Sequence, residues 1–207
     1  MPATLLVTGF GPFPGAPFNP TGPLVQRLAR LRRPALADIK IVPHVFPTSY
    51  AAVDRELPRL IAQHKPDALL MFGLAPRAKT LRIETRARNA VSLVPDADGA
   101  VRASKIAAGG PSAIALPVPV AQLFAAARAA RVPVIRSHDA GRYLCNYLCW
   151  RGAAAAAKIG GPRLAAFVHA PMIRRKARPR RGQSRLSADD LARVGAQLIK
   201  VIAAAAR

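Results

Sequence analysis

Apolar runs too short for helices alternate along this chain with longer stretches whose apolar residues recur at helical spacing. Thr4-Leu5-Leu6-Val7-Thr8 is a β-branched run closed by Gly9. After a Gly- and Pro-rich loop, Asn19 stands before Pro20, an N-cap followed by proline at the first helical position. Leu24, Val25, Leu28 and Leu31 give the stripe of the helix behind it. The same alternation continues. Residues 39–46 read as a strand in spite of Pro43. Thr48 or Ser49 caps a helix bearing Val53, Leu57, Leu60 and Ile61, and 67–72 is a buried strand ending at Gly73. In 81–88, Leu81, Ile83, Thr85 and Ala87 alternate with Arg82, Glu84, Arg86 and Arg88, as in a half-exposed strand or extended segment. A turn at 95–99, a helix over 119–130, a strand over 132–135, a helix over 142–158, a strand over 163–169 and a helix over 186–206 complete the series. Strands separated by helical crossovers imply an α/β fold, with a mainly parallel sheet and helices on both faces.

A chain of 207 residues suits one domain, and neither an internal repeat nor a linker divides 1–207. Apolar residues make up 51%, enough for a sizeable core. Charge or proline interrupts every apolar window before the roughly 18 residues of a membrane span. The first residues carry no basic leader, so a cytoplasmic protein without membrane attachment is expected. Two cysteines, Cys145 and Cys149, exclude a disulfide framework and make a poor zinc site, so no metal or cofactor is expected. The formal net charge is +22. It favours acidic partners, non-specific polyanion binding included, although an arginine- and alanine-rich composition accounts for it equally well. Residues 172–185 are strongly basic and read as a surface loop before the last helix. Little aromatic interleaving argues against a nucleic-acid-binding protein.

In open α/β sheets, sites gather at the carboxyl ends of strands and at helix N-termini. Cys145 follows Gly141, which permits a sharp turn from loop into helix. In the first helical turn, unpaired N–H groups and the helix dipole favour a thiolate and can hold an oxyanion. Cys149, one turn further in, reads as a small buried hydrophobe. His169 closes the last strand and can exchange a proton with a thiol, with His138 the runner-up. Glu84 is either part of a solvated ion-pair strip or the carboxylate that orients an imidazole. Gly9-Phe10-Gly11-Pro12-Phe13 lacks the lysine and N–H donors of a phosphate loop but suits an apolar pocket for a small flat ring.

These segments together resemble pyroglutamyl peptidase I. The resemblance rests on Thr8 to Phe13 with Asn19-Pro20, on Gly73-Leu74-Ala75 followed by Glu84 and Asn89, on Ser137 to Asn146, and on Phe167 to Pro171. It implies a single three-layer α/β/α sandwich. It also implies a cysteine exopeptidase that removes N-terminal pyroglutamate through a thioester. The triad would be Cys145, His169 and Glu84. Phe10, Phe13 and Tyr143 would form the pocket, with Asn19 supporting its loop. Peptides with N-terminal pyroglutamate are the expected partners, and homo-oligomers occur in the family. Two departures stand out. Leu74 replaces a polar side chain near the pocket. Leu93 stands where the family carries an arginine close to the oxyanion, with Arg86 or Arg88 as substitutes. A same-fold homologue with altered acyl specificity is the alternative.

Overall fold

The computed structural model describes residues 2–13, 15–102, 104–174 and 186–207. In chain order these form β1 (Ala3–Phe10), α1 (Thr21–Ala29), β2 (Ile39–Phe46), α2 (Tyr50–His64), β3 (Ala68–Ala75), β4 (Leu81–Glu84), β5 (Arg86–Arg88), β6 (Ala113–Ala115), α3 (Val120–Ala129), β7 (Val134–Ser137), α4 (Leu144–Ala156), β8 (Leu164–Pro171) and α5 (Ala188–Ala205). Six strands make a central sheet in the order β2-β1-β3-β8-β4-β7. The first four run parallel to one another. β4 lies antiparallel to β8 and carries β7 parallel to itself. From residue 175 onward the expected basic loop, 172–185, lies outside the described residues.

Sequence periodicity explains the layers. In β1, Leu5 and Val7 pack on one face of the sheet while Leu6 and Phe10 pack on the other. In β3, Leu70 and Phe72 oppose Leu69 and Met71 in the same way. The first face is covered by α1, α3 and α5 through residues such as Leu28, Leu123, Leu198 and Ile202. The second is covered by α2 and α4 through Val53, Leu57, Leu148 and Trp150. The result is a three-layer α/β/α sandwich. Each large apolar side chain so buried contributes roughly 1.5–3 kcal/mol relative to exposure.

Helix ends follow their local chemistry. Asn19 Oδ1 accepts from Thr21 N at 3.1 Å, and Pro20 already has helical dihedrals. Ser49, not Thr48, caps α2 by accepting from Ala52 N. Ser187 and Asp190 form a reciprocal capping box on α5, an arrangement worth about 1 kcal/mol.

Two expectations need correction, and one open alternative is decided. Residues 81–88 are not one strand. At Thr85 the chain passes from the large sheet to a two-stranded antiparallel sheet of β5 and β6, and β6 left no recognisable period in the sequence. Thr85 N donates to Ser137 O and Thr85 O accepts from Leu116 N, so the crossover residue is bonded on both sides. Nor is Glu84 on a solvated face: its exposure is 0%, because helices cover both sides of β4. Finally, β3 and β8 each run two residues past the expected ends at Gly73 and His169. They pair with each other there, Gly73 with His169 and Ala75 with Pro171.

Candidate active site

Strand parity decides which side chains can meet. In β8, Phe167 packs with the α2/α4 layer, so His169, two residues on, faces the same layer. In β4, Ile83 packs with the α1/α3/α5 layer, which turns Glu84 toward α4. The antiparallel pairing sets Glu84 opposite Phe167, diagonal to His169. His169 Nδ1 and Glu84 Oε1 are 2.8 Å apart, with both side chains buried. Nδ1 is therefore committed to the carboxylate, and the ring's hydrogen bond with Cys145 falls to Nε2.

Cys145 reaches the ring from the start of α4. Gly141 has φ +84°, a backbone state that costs glycine little, and its N–H donates to Asp139 Oδ1. The chain then extends through Tyr143 before helical geometry begins. Cys145 is the second residue of α4, where backbone N–H groups have no helical acceptor and the helix dipole is positive. Gly73 provides the space for the sulfur. A Cβ at that position would stand 2.7 Å from Cys145 Sγ and 2.7 Å from Phe167 Cζ.

Burial by itself drives the His169 imidazole toward neutrality. The Cys145 sulfur, by its charge and its hydrogen bond, and the Glu84 carboxylate more than reverse this and raise its pKa to about 9. Cys149 is fully buried. Burial, then the charges of Glu84 and Cys145, push its thiol well above the ordinary range, which makes it inert as a nucleophile near neutrality. Two of the other three histidines are engaged elsewhere, His44 with Glu56 at 2.8 Å and His138 with Thr85 at 2.6 Å, and His64 is the last residue of α2. Among the described residues no group of three His, Cys, Asp or Glu could hold a metal ion.

A cavity of about 210 Å³ opens beside Cys145 and His169, with Phe10, Phe13, Asn19 and Tyr143 among its walls. The Phe13 and Tyr143 rings lie 6.4 Å apart. Tyr143 Oη donates to Pro95 O at 2.9 Å. Asn19 is 3% exposed, and its Nδ2 donates to Gly11 O, which ties the aromatic loop to the start of α1. Burial first, then the charges of Asp96 and Cys145, raise the Tyr143 phenol, so this wall stays neutral. A larger groove of about 600 Å³ lies between α2 and α4. It is lined by neither cysteine nor histidine, whereas the smaller cavity is lined by one of each.

The sequence model of the pyroglutamyl peptidase family matches residues 3–205. This chain belongs to the pyroglutamyl peptidase family. Its relatives include the pyrrolidone-carboxylate peptidase of Pyrococcus furiosus, 30% identical over 82% of this chain and 81% of that protein. Pyrrolidone-carboxylate peptidase 1 of Ralstonia nicotianae is 33% identical over 90% of this chain and 86% of its own length. Among solved structures, Bacillus amyloliquefaciens pyroglutamyl peptidase I superposes with a TM-score of 0.86 at 25% identity, over 98% of this chain and 97% of that one.

Within this pyroglutamyl peptidase fold, some residues stand where expected and others do not. Leu74 does line the cavity. Leu93 does not, and is 76% exposed. Arg86 and Arg88 do not line it either: Arg86 Nε donates to His138 O, and Arg88 pairs with Asp139 at 3.4 Å. Two polar lining residues, Thr48 and Arg142, lie outside the set expected from the sequence. The sequence marks Thr48 only as a candidate helix cap. It is 3% exposed, and its Oγ1 has no hydrogen-bond partner among the described residues. Arg142 was hidden in a motif defined by its neighbours. Its position three residues before the cysteine, in the turn that delivers the helix, was the available signal.

Proposed function

We propose that this chain is a cysteine exopeptidase that hydrolyses the N-terminal pyroglutamyl residue from peptides, with Cys145 as nucleophile, His169 as acid–base and Glu84 as the carboxylate that orients the imidazole. The observation that carries this reading is His169, held between Glu84 at 2.8 Å and Cys145 at the mouth of a cavity walled by Phe10, Phe13 and Tyr143.

The pyroglutamyl ring is a flat, neutral lactam. Aromatic walls accept it, and Thr48 Oγ1 offers a free polar group to the ring. A charged α-ammonium entering the same space would lose its hydration without an acid in the wall to replace it. The thiolate of Cys145 attacks the scissile carbonyl carbon, and a C–S bond forms as the carbonyl oxygen takes negative charge. First-turn N–H groups of α4 stabilise that oxygen. The His169 imidazolium gives its proton to the leaving nitrogen as the C–N bond breaks, leaving a thioester. Water, deprotonated by the now neutral imidazole, attacks the thioester, and the C–S bond breaks to release pyroglutamate. Two free thiols suit a reducing, cytoplasmic setting. Among the described residues no helix is long and apolar enough to cross a membrane.

The test compares coumarin amides of pyroglutamate, proline and glutamate. Release from the first alone supports the reading; no release from it by folded protein refutes it. Cys145→Ala is expected to lower turnover by at least about 10³-fold, whereas Cys149→Ala leaves most of it. The reverse pattern would overturn the choice of nucleophile.

A further inference from the structure

Arg142 is the side chain that a neutral lactam does not need. It is exposed and lines the cavity beside Tyr143 and Cys145. Its main chain is fixed, since its carbonyl accepts from Ser92 N at 2.6 Å. No carboxylate among the described residues pairs with its guanidinium. The nearby acid, Asp139, is already bonded to Arg88 and to Gly141 N–H. Among the lining residues Arg142 carries the only permanent charge; the others are apolar, neutral polar, the nucleophile or its histidine.

A free guanidinium at the rim, beside the positive end of α4, calls for an anion on the substrate. The lactam ring carries no charge, so the anion must lie beyond the scissile bond. We propose that Arg142 is a specificity residue that selects peptides bearing a carboxylate on the residue after pyroglutamate, either an Asp or Glu side chain or the free terminus of a dipeptide. The proposal rests on the activity proposed above and deepens it. The formal net charge of +22 adds long-range attraction for acidic peptides that salt weakens.

The experiment uses three substrates: pyroglutamyl-glutamate amide, pyroglutamyl-glutamine amide and pyroglutamyl-glutamine with a free carboxyl. Wild-type kcat/KM should be roughly 3- to 10-fold higher for a carboxylate-bearing substrate than for the neutral amide at low salt. The margin should shrink at about 0.5 M salt. Preference for the glutamate amide assigns the side chain, and preference for the free acid assigns the terminus. Arg142→Gln should lower kcat/KM for the carboxylate-bearing substrates to that for the neutral amide, and Arg142→Lys should keep part of the preference. Equal wild-type rates on all three overturn the proposal. So does an Arg142→Gln variant slowed alike on all three, which would place the guanidinium at the reacting centre. Calorimetric binding of the same peptides to Cys145→Ala protein reads the preference without turnover. If wild type cleaves none of them, the proposed activity fails; the inference then fails only if the calorimetric preference is missing as well.

Discussion

The two faces of the central sheet are built on different terms. The α1/α3/α5 side is almost wholly aliphatic, from Leu5, Val7 and Leu28 to Leu198 and Ile202. The α2/α4 side holds Glu84, His169, both cysteines and the tyrosines Tyr50, Tyr143 and Tyr147, and it opens to the cavity. Thr8 Oγ1, Thr48 Oγ1 and Glu84 Oε2 are buried there without a hydrogen-bond partner among the described residues. No such atom on the described residues belongs to the opposite layer. Burying an unpaired polar atom costs about 1–3 kcal/mol. Both faces stabilise the fold by burying apolar side chains, but among the described residues only the α2/α4 face gives up part of that gain to unpaired polar groups.

That division can be broken in three ways. The largest effect is expected from Glu84→Gln. It removes the charge behind His169 with little change of shape, so kcat/KM near pH 7.5 should fall by about 10²–10⁴. The imidazolium should also be lost at lower pH. In the wild type, with the His169 pKa raised to about 9, activity should decline as pH rises through about 9; in the variant that limb should move toward neutrality. The stability conferred by the raised pKa is whole below about pH 6.5 and fades as pH climbs through 9. The stability gap between wild type and variant should narrow over the same interval. An unmoved alkaline limb would detach Glu84 from the histidine. Next comes Tyr143→Phe, which removes the bond to Pro95 O and about 1 kcal/mol. KM should rise about twofold to fivefold, with kcat nearly unchanged. A fall in kcat alone would mean that the phenol acts at the reaction and not on the wall. Smallest in its effect on rate is Leu198→Ala on the aliphatic face. It should cost about 2–5 kcal/mol in denaturant unfolding while leaving kcat/KM within about twofold well below the melting transition. A comparable loss of activity would show that the two faces are not separable.

The sequence disclosed what is local. β1, β2 and the caps at Asn19 and Ser187 are matters of period and of short-range hydrogen bonds. Cys145 could be placed because Gly141 and the start of a helix lie within four residues of it. Glu84 was harder. Its neighbours Arg82 and Arg86 suggest a wet strand, and only the helices packed over β4 make it a buried carboxylate. The reversal of β4 and β7, and the break at Thr85, depend on pairing with β8 and with β6, segments about 85 and 30 residues away. Thr48 is invisible as a site residue for the same reason, and Arg142 shows only its nearness to Cys145. Their significance lies in what stands across the cavity, which no window of sequence contains.

Glu84, Cys145 and His169 come from far-separated stretches of the chain, and the strand carrying Glu84 is seated upside down against β8, the last strand among the described residues. No earlier portion of the polypeptide can bring carboxylate, ring and sulfur into register. While it is being synthesised the molecule is a peptidase in name alone. Completion of the fold is what brings the three groups together.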